Sequence, residues 1–220
     1  MSAPTDGRDG AVERALEGVA EMYTGNLQEH GLASKSVGWK DEGSQLLRFD
    51  KLSELVTPQS AADGFTVNDL GCGYGAMFRY LDGRFGAGLT GYWGCDISDE
   101  MLRAARGFAD DPRVELVNSP RLLKRADYSF VSGTFNVKMG AEDDAWRGYV
   151  TDMLLHLRDM SAKGFSFNLL STYVDWKAEN LYYADPLWFF DFCKRNVSRH
   201  VSLLHDYPLY EWTLLVRTEG

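Results

Sequence analysis

Positive charge is scarce in this chain: 23 Lys and Arg stand against 32 Asp and Glu in 220 residues, a formal net charge of −9 at pH 7. That is the wrong global sign for holding a phosphate backbone, so no nucleic-acid partner is expected. Cysteine is scarce too. The three present, Cys72, Cys95 and Cys193, form no CxxC pair, which indicates neither a disulfide framework nor a zinc site and makes the reducing cytoplasm the expected compartment. No metal is expected. Apolar runs approaching the roughly 18 residues of a membrane span are missing, and residues 1–9 lack the apolar stretch of a signal peptide. A soluble protein with no membrane partner is the resulting expectation, and neither repeats nor low-complexity segments complicate it.

What is present suffices for a sizeable core: 45% of residues are hydrophobic, and the length suits one large domain or a domain with an appendage. Residues 11–23 place Val12, Ala15, Leu16, Val19, Ala20 and Tyr23 at three- and four-residue steps, the period of an amphipathic helix. A second helical pattern covers 44–56, with Leu46, Leu47, Phe49, Leu52 and Leu55 inward, after a polar loop holding His30, Gly31, Gly38 and Trp39. Residues 1–60 therefore read as an N-terminal helical cap ending near Pro58, and 61–220 as one α/β unit.

In that unit 65–70 reads as a strand closed by Gly71, 76–81 as a helix stopped at Gly83, and 89–95 as a strand ending at Asp96, followed by a helix over 98–108. Further strands are expected at 114–117, 128–132 and 165–170, with helices at 145–160 and 187–196. The last helix carries Trp188 and Phe192 on one face, expected to be core. The closing strands, 201–204 and 211–216, are joined too tightly for a crossover helix and must form an antiparallel hairpin. The expected fold is α/β: seven strands, mostly parallel, covered on both faces.

The most informative segment is Val67-Asn68-Asp69-Leu70-Gly71-Cys72-Gly73-Tyr74-Gly75-Ala76. Alternate glycines remove Cβ atoms, so the backbone turns sharply and a ligand can approach main-chain amides at the head of a helix. Asp96, at the end of the next strand, is positioned to accept hydrogen bonds from two ribose hydroxyls. Together they predict a nucleoside-containing cofactor. Dinucleotide sites favour G-x-G-x-x-G facing a pyrophosphate, whereas here G-x-G-x-G follows Asp69, an acid that repels a pyrophosphate and suits an ammonium and a sulfonium.

These residues resemble the first two motifs of the class I S-adenosylmethionine-dependent methyltransferases: an acid before G-x-G-x-G (Asp69, Gly71, Gly73, Gly75, with Cys72 between) and an acid ending the second strand (Asp96). The resemblance implies a Rossmann-like sheet, S-adenosylmethionine as cofactor, and Ile97 and Met101 of Asp96-Ile97-Ser98-Asp99-Glu100-Met101 flanking the adenine. It also implies that the turn Ser132-Gly133-Thr134-Phe135-Asn136 lines the cofactor through Gly133, Thr134 and Phe135. The family's adenine-reading acid after the third strand is missing; Val117-Asn118-Ser119-Pro120 stands there, so Asn118, Ser119 or backbone must substitute.

Outside the motifs, Arg48 on the second helix is a candidate partner for the cofactor carboxylate, with Gln45 one turn away. Tyr173, Tyr182, Tyr183 and Tyr207 are candidate walls of a substrate pocket. His205, oriented by Asp206 at a strand end, is the candidate general base for a hydroxyl acceptor. The cluster Arg121, Lys124 and Arg125 reads as a solvated face. The expected function is methyl transfer from S-adenosylmethionine to oxygen or nitrogen of a small molecule, such as a sugar or secondary metabolite. Competing readings are a non-catalytic partner subunit, an RNA or protein methyltransferase, and a nicotinamide oxidoreductase. Sequence leaves the oligomeric state open.

Overall fold

The computed structural model describes residues 6–218. The first five residues, part of the 1–9 segment considered above, and the last two lie outside the described residues. Helix α1 (Asp6–His30) runs past its expected end at residue 23. Its polar tail carries no apolar stripe and is held from outside, where Thr24 Oγ1 lies 3.1 Å from Ser98 Oγ. A short 3-10 turn (Ser34–Val37) follows, then α2 (Glu42–Ser53), whose N-terminus is capped by Asp41 accepting from the Ser44 amide at 2.7 Å. Helix α3 (Pro58–Asp63) was not anticipated: six residues are too few for a periodic pattern, although Thr57 caps it and Pro58 opens it.

Strand β1 (Phe65–Leu70) then leads through the glycine loop to α4 (Ala76–Phe85), which continues through Gly83 and stops at Gly86. Next come β2 (Leu89–Asp96), α5 (Asp99–Phe108) capped by Ser98, β3 (Val114–Asn118), β4 (Ala126–Val131), α6 (Asp143–Met160) and β5 (Ser161–Ser171). A two-residue β6 (Tyr183–Ala184), α7 (Pro186–Asn196), β7 (His200–Leu204) and β8 (Glu211–Arg217) complete the chain.

The sheet order is β3-β2-β1-β4-β5-β8-β7, with β6 beside the end of β5. The strands from β3 to β5 are parallel, and β8 runs antiparallel to both β5 and β7. The seven expected strands and the closing hairpin are therefore present; β6 is the addition.

Two apolar clusters cover the two faces, and side-chain alternation assigns residues to them. From β5, Phe165, Phe167 and Leu169 join Trp146, Leu154 and Leu157 of α6. The intervening Ser166 turns to α2, donating to the Leu52 carbonyl at 2.9 Å. Phe49 and Leu52 of α2 pack there with Met77, Phe78 and Leu81 of α4. On α7 the core face is set by Phe189 and Cys193. Trp188 and Phe192 do share a face, stacked 5.7 Å apart; Phe192 packs half-buried against the core, while Trp188 is exposed. Among the described residues no helix is long and apolar enough to cross a membrane.

Candidate cofactor and acceptor site

The carboxyl ends of β1, β2, β4 and β5 lie along one edge of the sheet, and the glycine loop leaves β1 there. The Gly71 and Cys72 amides both donate to the Cys95 carbonyl of β2, at 2.8 and 3.0 Å. This pins the loop across the gap between the two strands. Gly71 (φ 75°) and Gly73 (φ 53°) take left-handed backbone conformations. A Cβ at Gly71 would overlap Thr134, whose hydroxyl donates to the Leu70 carbonyl at 2.8 Å, and one at Gly73 would lie 3.1 Å from Val37. The loop therefore passes too close to Thr134 and Val37, which also line the larger cleft, for any side chain at these two positions.

Two adjoining clefts open above this loop. The larger lies between the Asp96 end of β2, Ile97, Met101 and Ser119 on one side and Leu16, Val19 and Tyr23 of α1 on the other. The smaller lies between Asp69, Cys72 and Met77 below and Trp39 and Gln45 above. Val37, Gly71, Gly73 and Ser132 border both clefts and mark their junction.

Asp96 Oδ2 accepts from the Gly73 amide at 2.8 Å and Oδ1 from the Ser98 amide at 2.9 Å, so each oxygen keeps lone-pair capacity toward the cleft. Burial pushes its pKa up against the opposing pull of these amides. Asp69 is buried beneath the smaller cleft and is pushed up to about 7, chiefly by burial, with the hydrogen bond from Tyr92 pulling down and the Asp96 charge pushing up. Gln45 accepts from the Tyr74 hydroxyl at 3.1 Å, which leaves its amide NH2 free to donate. Burial raises Tyr23 and Tyr149, in the walls of the larger cleft, to about 12, so both are neutral donors at physiological pH.

Of the expected cofactor residues, Gly71, Gly73, Asp96, Ile97, Met101, Ser119 and Thr134 line the larger cleft, and Gln45, Asp69 and Cys72 the smaller. The others lie elsewhere. Gly75 caps α4 behind the loop, against Ala105 and Ala109. Asn118 turns outward and donates to Asp99 at 2.7 Å. Phe135 is fully buried against Phe167, and only its carbonyl is engaged, by the Trp146 indole at 2.8 Å.

Arg48 does not line either cleft. Its Nε donates to Glu211 at 2.9 Å, its Nη1 to the Ser44 carbonyl at 2.8 Å, and its guanidinium stacks 3.7 Å from the centre of the Trp39 ring. The pair is closed off from water, and burial raises the Glu211 pKa while Arg48 and Asn168 lower it. Glu211 also accepts from Asn168 at 3.0 Å, Asn168 accepts from the Gly133 amide at 2.7 Å, and Trp39 packs against the Gly133 Cα. The contacts thus close a ring from the cap, through β8 and β5, to the turn after β4. Sequence reading missed Trp39, Asn168 and Glu211 as site residues. One signal was available: Asn168 sits between Phe167 and Leu169 in a strand buried on both faces, where a polar residue must have a partner.

The expected acceptor residues lie away from the clefts. His205 and Asp206 are exposed beyond β7, the edge strand, four strand spacings from β1, or about 19 Å. Tyr173 is 65% exposed, its ring 5.8 Å from that of His205. Tyr182 belongs to the α6–α7 core, Tyr183 accepts from the Ala178 amide at 3.0 Å, and buried Tyr207 pairs with Thr213 at 2.8 Å. The tertiary structure does not assemble these residues around the glycine loop.

The clefts offer a ribose-type acceptor in Asp96, an apolar slot at Ile97 and Met101, and in the smaller lobe a buried acid, Asp69, that accepts from the Tyr92 hydroxyl. A family of domains described as "Methyltransferase domain" matches residues 67–159. The chain is 47% identical over 161 residues to "Putative methyltransferase Rv1506c" of Mycobacterium tuberculosis, covering 72% of this chain and 96% of the relative. Its fold is similar to magnesium protoporphyrin IX methyltransferase from Synechocystis PCC 6803 with bound SAH (TM-score 0.61, 13% identity, 96% of this chain and 99% of the other). It is also similar to a SAM-dependent methyltransferase of Leishmania major (TM-score 0.64, 13% identity, 99% and 87%).

Proposed function

Because the chain belongs to the class I S-adenosylmethionine-dependent methyltransferases, we propose that it methylates oxygen or nitrogen of a small-molecule acceptor. The observation that carries this reading is the roof. Leu16, Val19 and Tyr23 of α1, with Val37, close the larger cleft from above using the chain's own residues. A site covered this way suits an acceptor small enough to enter beside the cofactor. The net charge of −9 favours the same reading over nucleic acid, as does the porphyrin named for one structural neighbour.

S-adenosylmethionine supplies an activated methyl group on a sulfonium; the residues present fit it, since Gly71, Gly73 and the Asp96 acceptor all line the cleft. In this reading Asp96 accepts from the ribose hydroxyls, Ile97 and Met101 hold the adenine, and Asp69 and Gln45 face the amino-acid end. The roof excludes water and keeps donor and acceptor aligned, which is most of what a good leaving group requires of a protein. His205 and Asp206 have no part in it, since they stand at the far edge of the sheet.

Calorimetric titration of the purified chain with S-adenosylmethionine, S-adenosylhomocysteine and NAD tests the binding assignment. Micromolar affinity for the first two, weakened roughly 10- to 150-fold in Asp96→Ala, is the expected outcome; tighter NAD binding would sink it. Release of S-adenosylhomocysteine with small acceptors, and none with RNA or protein, is expected for the acceptor class.

A further inference from the structure

No acid follows β3 to read an adenine, and the two polar residues that stand there are engaged by the chain itself. Asn118 donates to Asp99 at 2.7 Å. The Ser119 hydroxyl donates to the Arg121 carbonyl at 2.6 Å and accepts from the Arg121 amide at 3.1 Å, so its only proton is spent in its own turn. The larger cleft has another polar group on this side, the hydroxyl of Tyr149 on α6. Among the described residues the unpartnered side-chain atoms sealed from open space are Ser132 Oγ and Asn136 Nδ2. The Tyr149 hydroxyl also lacks a partner but is not sealed, and the space that Tyr149 borders is the larger cleft.

The helix shows which end of the cleft this is. Tyr149 and His156 are seven residues apart and share a face of α6, and His156 Nε2 lies 3.1 Å from the Leu122 carbonyl. That face therefore runs along the segment after β3, and Tyr149 stands about 10 Å nearer the carboxyl edge than His156, beside Ser119 and Pro120, which line the cleft with it. The Arg121 charge acts on Tyr149, whereas Tyr23, the other tyrosine of the cleft, feels Asp96. The Tyr149 ring is held with its centre 5.0 Å from that of Trp146 and 6.1 Å from that of Phe135. Burial pushes its pKa up to about 12, so the hydroxyl is neutral and offers both a proton and lone pairs.

We propose that Tyr149 reads the edge of the cofactor's purine in place of the absent acid, and that its hydroxyl, able to donate as well as accept, lets the site take a 6-oxopurine as well as a 6-aminopurine. This rests on the methyltransferase reading above and deepens it by assigning the base specificity of the same cleft. With the ribose on Asp96 and the base against Ile97 and Met101, the far edge of the purine comes to the Ser119 end. A carboxylate there could only accept, which suits the amino group of adenine and sets lone pair against lone pair on an oxo group. A phenol hydroxyl turns about its C–O bond, accepting from the amino group or donating to the oxo group, while Trp146 and Phe135 keep the ring in place.

The test is calorimetric titration of the full chain and of Tyr149→Phe with S-adenosylhomocysteine and S-inosylhomocysteine, with urea unfolding of both proteins without ligand. Tyr149→Phe keeps the ring and removes a hydroxyl that has no protein partner, so its unfolding midpoint should match that of the unaltered chain. Both ligands should bind it about 2- to 13-fold more weakly, the range of a neutral hydrogen bond, and should bind the unaltered chain within about tenfold of each other. Unchanged affinities in Tyr149→Phe would overturn the contact, and a lowered midpoint accompanying the weaker binding would assign Tyr149 to packing instead. A preference of the unaltered chain for the adenosyl ligand beyond about tenfold would overturn the two-way hydroxyl. Binding of neither ligand to the unaltered chain would strike the underlying cofactor reading.

Discussion

The carboxyl edge of the sheet has two halves that use similar residues to opposite effect. Over β1, β2 and β4, Asp69 is buried and Asp96 half-buried, and both are hydrogen-bonded and shifted upward in pKa. Over β5, β8 and β7, His205 and Asp206 stand in solvent among Tyr173, Trp176 and Tyr210, which are 65%, 73% and 64% exposed. Strand ends alone do not make a site. The difference is the cover: α1 and the Ser34–Val37 turn lie over the first half, and the cap's reach to the second is spent on the buried Arg48–Glu211 pair. Burial under that cover turns the same functional groups into binding chemistry.

The comparison breaks most severely if that pair is removed. Arg48→Ala leaves Glu211 buried and unpaired and should cost about 3–5 kcal/mol of stability at neutral pH by urea unfolding. Glu211 already holds its proton to higher pH folded than unfolded, so stability from this group falls as pH rises through that window, and the Arg48→Ala deficit should shrink on acidification. An unaltered midpoint would mean that the cap is not tied down here.

Asp96→Ala should weaken S-adenosylmethionine binding by about 1.5–3 kcal/mol, roughly 10- to 150-fold by calorimetry. Unchanged affinity would remove Asp96 from the ribose. Asp69 gives a subtler signature. With its pKa near 7, an ammonium-bearing ligand prefers the ionised form, so affinity should rise with pH up to about 7 and level off above, by at most about tenfold per unit. Asp69→Asn should flatten that profile, and a persisting slope would assign it to another group. The smallest effect belongs to the open half: His205→Ala should shift stability by no more than about 0.5 kcal/mol and leave kcat intact. A fall of about a hundredfold or more, the range for a lost general base, would bring the far edge back into the chemistry.

Much of the first half was legible because its signals are local. Gly71, Gly73 and the acid before them occupy a single loop, and Asp96 lies one strand and helix onward, where β1 and β2 must pair. The choice between Asn118 and Ser119 was legible only in outline: pairing with Asp99 drew Asn118 outward, and Ser119 lines the larger cleft. Arg48 was recognised as unusual but given the wrong partner, because a helix position does not reveal which carboxylate the opposite strand will offer.

By itself the sequence determined the alternation of strands and helices, the antiparallel ending, the glycine loop and the nucleoside cofactor, since each depends on periodicity or on residues close along the chain. Only the tertiary structure decided which strand ends were covered, that Trp39, Arg48, Asn168 and Glu211 close a ring around Gly133, and that Tyr149 brings its hydroxyl to the larger cleft. Those outcomes depend on which side chains from distant segments come to share one water-free space, and burial, which sets their charge and hydrogen bonding, exists only after the layers have packed.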